Sequence, residues 1–354
     1  MDFCDKAAAI RPGEELAAET LERYLRQHFP GESGSLVVQQ FPSGHSNLTY
    51  SVQLGERQMV LRRPPFGSKV KSAHDMSREF RVLSKLHAVY APAPEVLLYC
   101  GDETILGAPF YLMEPVRGVI LRRDPPPGFV FAVETARRVS ESFIANLARL
   151  HALDYAAIGL GDFGRPAGYL ERQVKGWIER YYGSRTDDHD EAEKVSAWMQ
   201  QNLPPSPAAT LIHNDYKLDN VVLDPGDLSR IVGVLDWEMA TIGDPLSDLG
   251  STLAYWVDAD DPGELQQLRW GPSNHQGSLT RAQLVQGYAQ ATGRSVENMR
   301  FYLVFARFKL AVIIQQIYYR YRQGLTTDPR FATMGQAVRV LLQAAWHAAN
   351  SQKI

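Results

Sequence analysis

The chain has 354 residues, of which 45% are hydrophobic and 22% charged, enough to bury a sizeable core and more than one compact domain usually needs. A formal net charge of −3 supplies no basic field for nucleic acid, and the two cysteines, Cys4 and Cys100, exclude a disulfide framework and favour a reducing, cytoplasmic setting. Residues 1–11 lack the apolar core of a signal peptide, and no run reaches the ~18 uncharged apolar residues of a membrane span, so neither nucleic acid nor membrane is an expected partner.

In chain order, helical spacing runs from Glu14 to His28 and stops before Pro30-Gly31. The period then changes. Ser35–Phe41, Leu48–Leu54 and Gln58–Arg63 are short, β-branched and separated by turn residues, and read as three antiparallel strands. Ser72 to Asp75 resembles a capping box before a helix from Arg78 to Tyr90, which Pro92 and Pro94 end. Glu95–Cys100 and Pro109–Glu114 add two more strands. The expected fold is therefore α+β, with a small five-stranded antiparallel lobe over residues 1–115, including a helical extension over 1–30, and a larger, mostly helical lobe over 116–354. Helical patterns cover Glu134–Leu153, Tyr169–Tyr182 and Ala192–Asn202. A β insertion follows at Thr210–His213, Val221–Asp224 and Ile231–Asp236, and the chain is helical again from Pro245. Thr280 to Gln283 is a second capping-box candidate, and Gly293 a candidate helix-ending glycine.

The segment His213-Asn-Asp215-Tyr-Lys217-Leu-Asp-Asn220, followed after a hydrophobic strand by Leu235-Asp236-Trp-Glu, carries the chemistry. Phosphoryl transfer needs one carboxylate to orient and deprotonate a hydroxyl, and a second carboxylate with an amide oxygen to hold Mg²⁺. Asp215 is the candidate base, and Asn220 and Asp236 the candidate metal ligands. A single Asp in a loop is more often a turn former, but the ordered set with Asp248 reverses that weighting.

The pattern H-x-D-x-x-x-x-N, then an Asp after a strand, resembles the catalytic loop and metal-binding aspartate of protein kinases. With Gly243-Asp-Pro-Leu-Ser-Asp248, it resembles the aminoglycoside phosphotransferase, or choline kinase-like, superfamily. More narrowly, it resembles the phosphotransferase domain fused to acyl-CoA dehydrogenases. The resemblance implies a bilobal kinase-like fold using ATP, with GTP not distinguished, and Mg²⁺. It makes His213 a packed structural residue, gives Asp248 the backbone of the catalytic loop to hold, and sets Lys217 where kinases contact phosphate. The loop with Ser43 and Gly44 would offer N–H groups to phosphates. Arg62 stands where kinases usually have a lysine, with Glu79 as its ion-pair partner. Backbone at Glu114 and Val116 would read the adenine edge.

The acceptor is expected to be a hydroxylated small molecule. Arg300, Arg307, Lys309, Arg320 and Arg322 stand in a stretch without acidic residues, which favours a neutral or anionic acceptor if that helix lines the site; otherwise their heads reach water beside a core helix. The resemblance adds a link to acyl-CoA metabolism and a hydroxyacyl-CoA acceptor. A nucleotide-binding pseudokinase is the alternative, and Arg62 its main support. No G-x-G-x-x-G follows a strand, which disfavours a flavin or dinucleotide enzyme.

Overall fold

In the computed structural model, residues 3–42, 47–67, 75–125, 128–326 and 328–351 are described. They form two compact units, one of residues 1–120 with 220–240 and one of 121–219 with 241–354. The expected division near residue 115 gives residues 220–240 to the second lobe, whereas here they belong to the first.

The first unit is built on a five-stranded antiparallel sheet of strands β1 (Leu36–Gln40), β2 (Leu48–Leu54), β3 (Arg57–Arg63), β4 (Val96–Cys100) and β5 (Phe110–Met113), in spatial order β1-β2-β3-β5-β4. Side chains alternate across such a sheet. Leu48, Tyr50, Val52, Leu54, Met59, Leu61 and Leu112 face a core closed by Leu21 and Leu25 of helix α1 (Ala18–His28). The alternation sends Arg62, paired with Tyr111 in register, to the opposite face, with Glu79 of helix α2 (Met76–Leu86) beside it. Asp75 caps α2 by accepting from the N–H groups of Ser77 and Arg78, so the cap is Asp75 itself; Ser72 lies outside the described residues. Helix α1 begins four residues later than its spacing predicts. Glu14 is held elsewhere: its carbonyl accepts from Tyr50 OH at 2.7 Å and its carboxylate from Gln40 at 2.5 Å.

A short helix α3 (Glu103–Leu106), absent from the sequence reading, links β4 to β5. The hairpin of β7 (Val221–Leu223) and β8 (Ile231–Val234) completes this unit. It is stitched to the segment after β5, because Val119 and Leu223 exchange both backbone hydrogen bonds, at 2.8 and 2.9 Å. Gly118 is required for that approach, since a Cβ there would stand 2.3 Å from the Leu223 carbonyl oxygen.

The second unit is helical around a two-stranded ladder of β6 (Thr210–Ile212) and β9 (Thr241–Gly243). Its helices are α4 (Val133–His151), α5 (Tyr169–Ser184), α6 (Asp190–Gln201), α7 (Pro245–Tyr255), α8 (Gly263–Gln267), α9 (Arg281–Thr292), α10 (Met299–Arg322) and α11 (Met334–Asn350). The Thr280–Gln283 capping box is present in both directions, and Gly293 ends α9 in the left-handed region at φ 68°. Helix α10 is long and apolar enough by composition to cross a membrane, but 72% of its most apolar window is buried inside the structure, as in a core helix.

Candidate active site

In the second unit, β6 delivers His213 to a loop held by Asp248 of α7. The carboxylate of Asp248 is fully buried and accepts the N–H groups of His213 and Asn214, both at 2.7 Å, and His151 Nε2 lies 3.1 Å away. Burial pushes this carboxyl up, but the hydrogen bonds and the nearby imidazoles outweigh it and hold it below the usual aspartate range. Helix α7 starts cleanly because Asp244 caps it, with Pro245 in its first turn, and the second Asp244 oxygen accepts from Tyr302 OH at 2.8 Å. His213 is buried, and its Nδ1 accepts from the Asp215 N–H at 3.3 Å, a packed histidine.

Asn214 takes φ 68°, a left-handed conformation that asparagine tolerates better than most residues. Three groups fix it. Asp248 takes its N–H, Tyr169 OH donates to its side-chain oxygen at 3.3 Å, and Lys309 Nζ of α10 donates to its carbonyl at 3.4 Å. This turn aims the next residue. The Asp215 carboxylate accepts from Tyr255 OH at 2.8 Å on one oxygen and pairs with Lys217 Nζ at 3.0 Å on the other. Lys217 also lies 5.0 Å from the centre of the Tyr255 ring and 3.9 Å from Asp219. Burial would lower the Lys217 pKa, but Asp215, Tyr255 and Asp219 raise it well above the ordinary lysine value, so the ammonium stays charged. Lys217, expected at phosphate, is thus committed to Asp215 here.

Asp219 carries a carboxyl pushed up to about 6, first by burial, against the pull of Lys217, and further by Asp215. An acid whose folded pKa lies above its unfolded value favours the folded state most at low pH, and that contribution is lost as pH rises through the folded pKa. Asp219→Asn is therefore expected to raise the melting temperature at pH 8 and to change it little at pH 4, which thermal unfolding at the two pH values measures.

The first unit holds the remaining candidates. The chain passes into it after Asp219, so Asn220 and Asp215, five residues apart, belong to different units. Asn220 precedes β7, and Asp236 follows β8 by two residues. The Leu235 N–H donates to the Asn220 carbonyl at 2.8 Å, so the two sit at neighbouring strand ends. Asp236 also adopts a left-handed φ, 70°. One of its oxygens accepts from Arg62 Nη2 at 2.8 Å, while Arg62 Nη1 lies 3.3 Å from Glu79. Glu79 also takes the Trp237 N–H at 3.0 Å. This pair is buried rather than on the surface. Burial opposes the Arg62 charge, yet Glu79, Tyr111 and Asp236 raise its pKa well above the usual value; burial raises Glu79, and Arg62 pulls it back. Replacing Arg62 by Met takes the paired cation from two carboxylates, Glu79 deeply buried. A loss of about 3–5 kcal/mol in denaturant-measured stability is expected.

Two hard-oxygen side chains at neighbouring strand ends suit Mg²⁺, with one Asp236 oxygen already on Arg62. After β5, the Glu114 N–H is taken by the Glu95 carbonyl at 2.8 Å and its carboxylate by Arg57 at 3.1 Å. The Glu114 N–H, expected to read an adenine edge, is thus already engaged. Val116 packs its side chain toward Gly233 of β8. Ser43 and Gly44 lie outside the described residues.

Sequence reasoning missed two contributors. Tyr255 and Tyr169 come from helices whose apolar spacing reads as core, and no motif marks them; the sequence marks Lys309 only as one of the basic residues of its helix, with no role at Asn214. Of the basic residues near α10, Arg307 and Lys309 are buried, while Arg300, Arg320 and Arg322 are exposed. Among the acidic residues after Tyr255, Asp258 and Asp261 are engaged by Arg281.

The model of the phosphotransferase enzyme family matches residues 37–297. The chain belongs to that phosphotransferase family. Acyl-CoA dehydrogenase family member 11 of Rattus norvegicus is 37% identical over 335 residues, covering 92% of this phosphotransferase-family chain and 42% of the relative. The chain spans less than half the length of the curated relatives it matches. A solved structure from Ralstonia eutropha, provisionally named an aminoglycoside phosphotransferase, has a TM-score of 0.80 at 31% identity and covers 96% of this chain and 100% of its own. A thermostable mutant of aminoglycoside phosphotransferase APH(4)-Ia, solved with ADP and hygromycin B, has a TM-score of 0.60 at 16% identity, over 94% and 100% of the chains, and shares the fold. The family resemblance carried by the catalytic-loop motif and the five-stranded lobe agree with these findings. The chain is a kinase-type transferase with an aminoglycoside phosphotransferase-like fold.

Proposed function

We propose that the protein transfers the γ-phosphoryl group of ATP to a hydroxyl of a small molecule, an acyl-bearing metabolite rather than a polycation. The observation that carries the reading is the Asp215 carboxylate, fixed on both oxygens by Tyr255 and Lys217 in a loop whose backbone Asp248 clamps. A base held in this way needs little reorganisation to meet a hydroxyl. The acceptor oxygen forms its bond to the γ-phosphorus, the bond from that phosphorus to the ADP oxygen breaks, and the hydroxyl proton goes to Asp215. Asn220 and Asp236 would hold Mg²⁺, which when bound neutralises charge between the phosphates. Arg62 supports Asp236 and supplies positive charge for the nucleotide. The acyl-bearing acceptor follows from the curated relatives, named acyl-CoA dehydrogenase family members, and from the basic residues of α10.

The test is transfer of label from γ-labelled ATP, with Mg²⁺, to a panel of hydroxyacyl-CoAs, hydroxy acids and aminoglycosides. Turnover of aminoglycosides alone would overturn the acceptor class. The pseudokinase reading draws on one observation, the Arg62 guanidinium bonded to Asp236. Nucleotide binding without transfer to any member of the panel would favour it.

A further inference from the structure

Lys309 carries a charge that the fold leaves underused. It lies mid-way along α10, is 8% exposed, and makes one hydrogen bond among the described residues, at 3.4 Å to the neutral carbonyl of Asn214. Among the described residues no carboxylate pairs with it directly. Burial lowers its pKa, Asp215 and Asp248 offset that only in part and through space, and Arg180 opposes its charge. Burying an ammonium is costly unless an anion or several acceptors satisfy it, and one long bond to a carbonyl does not. A neutral donor would hold the Asn214 peptide as well. The face of Trp177, from α5, lies 5.8 Å from the Lys309 nitrogen, and the Arg180 guanidinium lies 4.7 Å from the same ring. A buried cation beside an aromatic face is thus bonded to the residue next to the base.

We infer that Lys309 is a specificity-determining residue of the acceptor subsite, its ammonium receiving an acyl oxygen of the acceptor while Trp177 packs against the adjoining carbon chain. The shared chemistry is a carbonyl oxygen near the phosphorylated hydroxyl, carried by a thioester or by a free carboxylate. The inference rests on the phosphotransferase reading above and narrows its acceptor.

The experiment compares kcat/KM for three acceptors with the same carbon chain: a hydroxyacyl-CoA, the matching free hydroxy acid, and the diol lacking the acyl oxygen. The wild type is expected to prefer an acyl acceptor over the diol, and which acyl form it prefers identifies the source. In Lys309→Gln, which keeps a donor for the Asn214 carbonyl and removes the charge, that preference is expected to fall roughly tenfold or more, mainly through KM. Lys309→Arg should restore part of it, and the KM for ATP should stay within about twofold in both variants. An anchoring role alone lowers kcat for all three acceptors by the same factor and leaves the preference unchanged; that result overturns the inference while the phosphotransferase reading stands. A wild type that does not favour acyl acceptors overturns it equally. A wild type that phosphorylates nothing overturns both.

Discussion

Asp215→Asn is expected to fold, to bind ATP, and to lose turnover by about 10²–10⁴-fold, the range in which a positioned general base contributes. The replacement has nearly the same shape, and its side-chain oxygen still accepts from Tyr255 OH, so the loop keeps its course. Two things change. The group can no longer take the hydroxyl proton, and Lys217 loses the carboxylate at 3.0 Å that keeps it charged, leaving Asp219 at 3.9 Å. A thermal shift by nucleotide, together with single-turnover kinetics, separates binding from chemistry. A variant with kcat within about threefold of wild type would remove Asp215 from the base role.

A large stability effect is expected at Asp248. Removing its carboxylate in Asp248→Ala takes the acceptor from the N–H groups of His213 and Asn214 and leaves His151 with Tyr288 alone. Each buried group that loses its partner costs about 1–3 kcal/mol, so a loss of about 3–5 kcal/mol is expected in urea unfolding. The sign with pH follows from the depressed pKa. The carboxylate's contribution is complete above the ordinary aspartate range and fades as pH falls through its folded value, so wild type and variant should converge in acid stability. A variant as stable as wild type at pH 7 would mean the clamp is replaceable by water. Turnover should fall as well, because the left-handed turn at Asn214 loses one of its three tethers.

The sequence carried much of this because kinase-type chemistry uses short, ordered motifs. His213, Asp215, Asn220, Asp236 and Asp248 announce themselves by spacing, and strands β1 to β5 by alternation between turn residues. The misses have local causes. Strand β9 has three residues, Thr241–Gly243, too few to show a period, and exists because β6 pairs with it. The start of α1 moved because Glu14 serves the sheet through long-range hydrogen bonds. Tyr255 gave no signal, and Lys309 none beyond its charge, since a polar tip on an otherwise apolar helix looks like an edge of core until its neighbour from another element is known. The grouping of residues 220–240 with the first unit depends on backbone bonds between Val119 and Leu223, more than a hundred residues apart, which no local pattern encodes.

Asn214 and Asp236 are the non-glycine residues that wind the left-handed way among those described, and each is bound to the machinery by its neighbours. That winding carries a standing cost of order 1 kcal/mol per residue, which glycine would largely remove. Selecting this protein for heat resistance alone would thus push both positions toward glycine, and at the second the winner would have discarded the oxygen proposed to hold Mg²⁺. Durability and chemistry compete there for the same two dihedral angles.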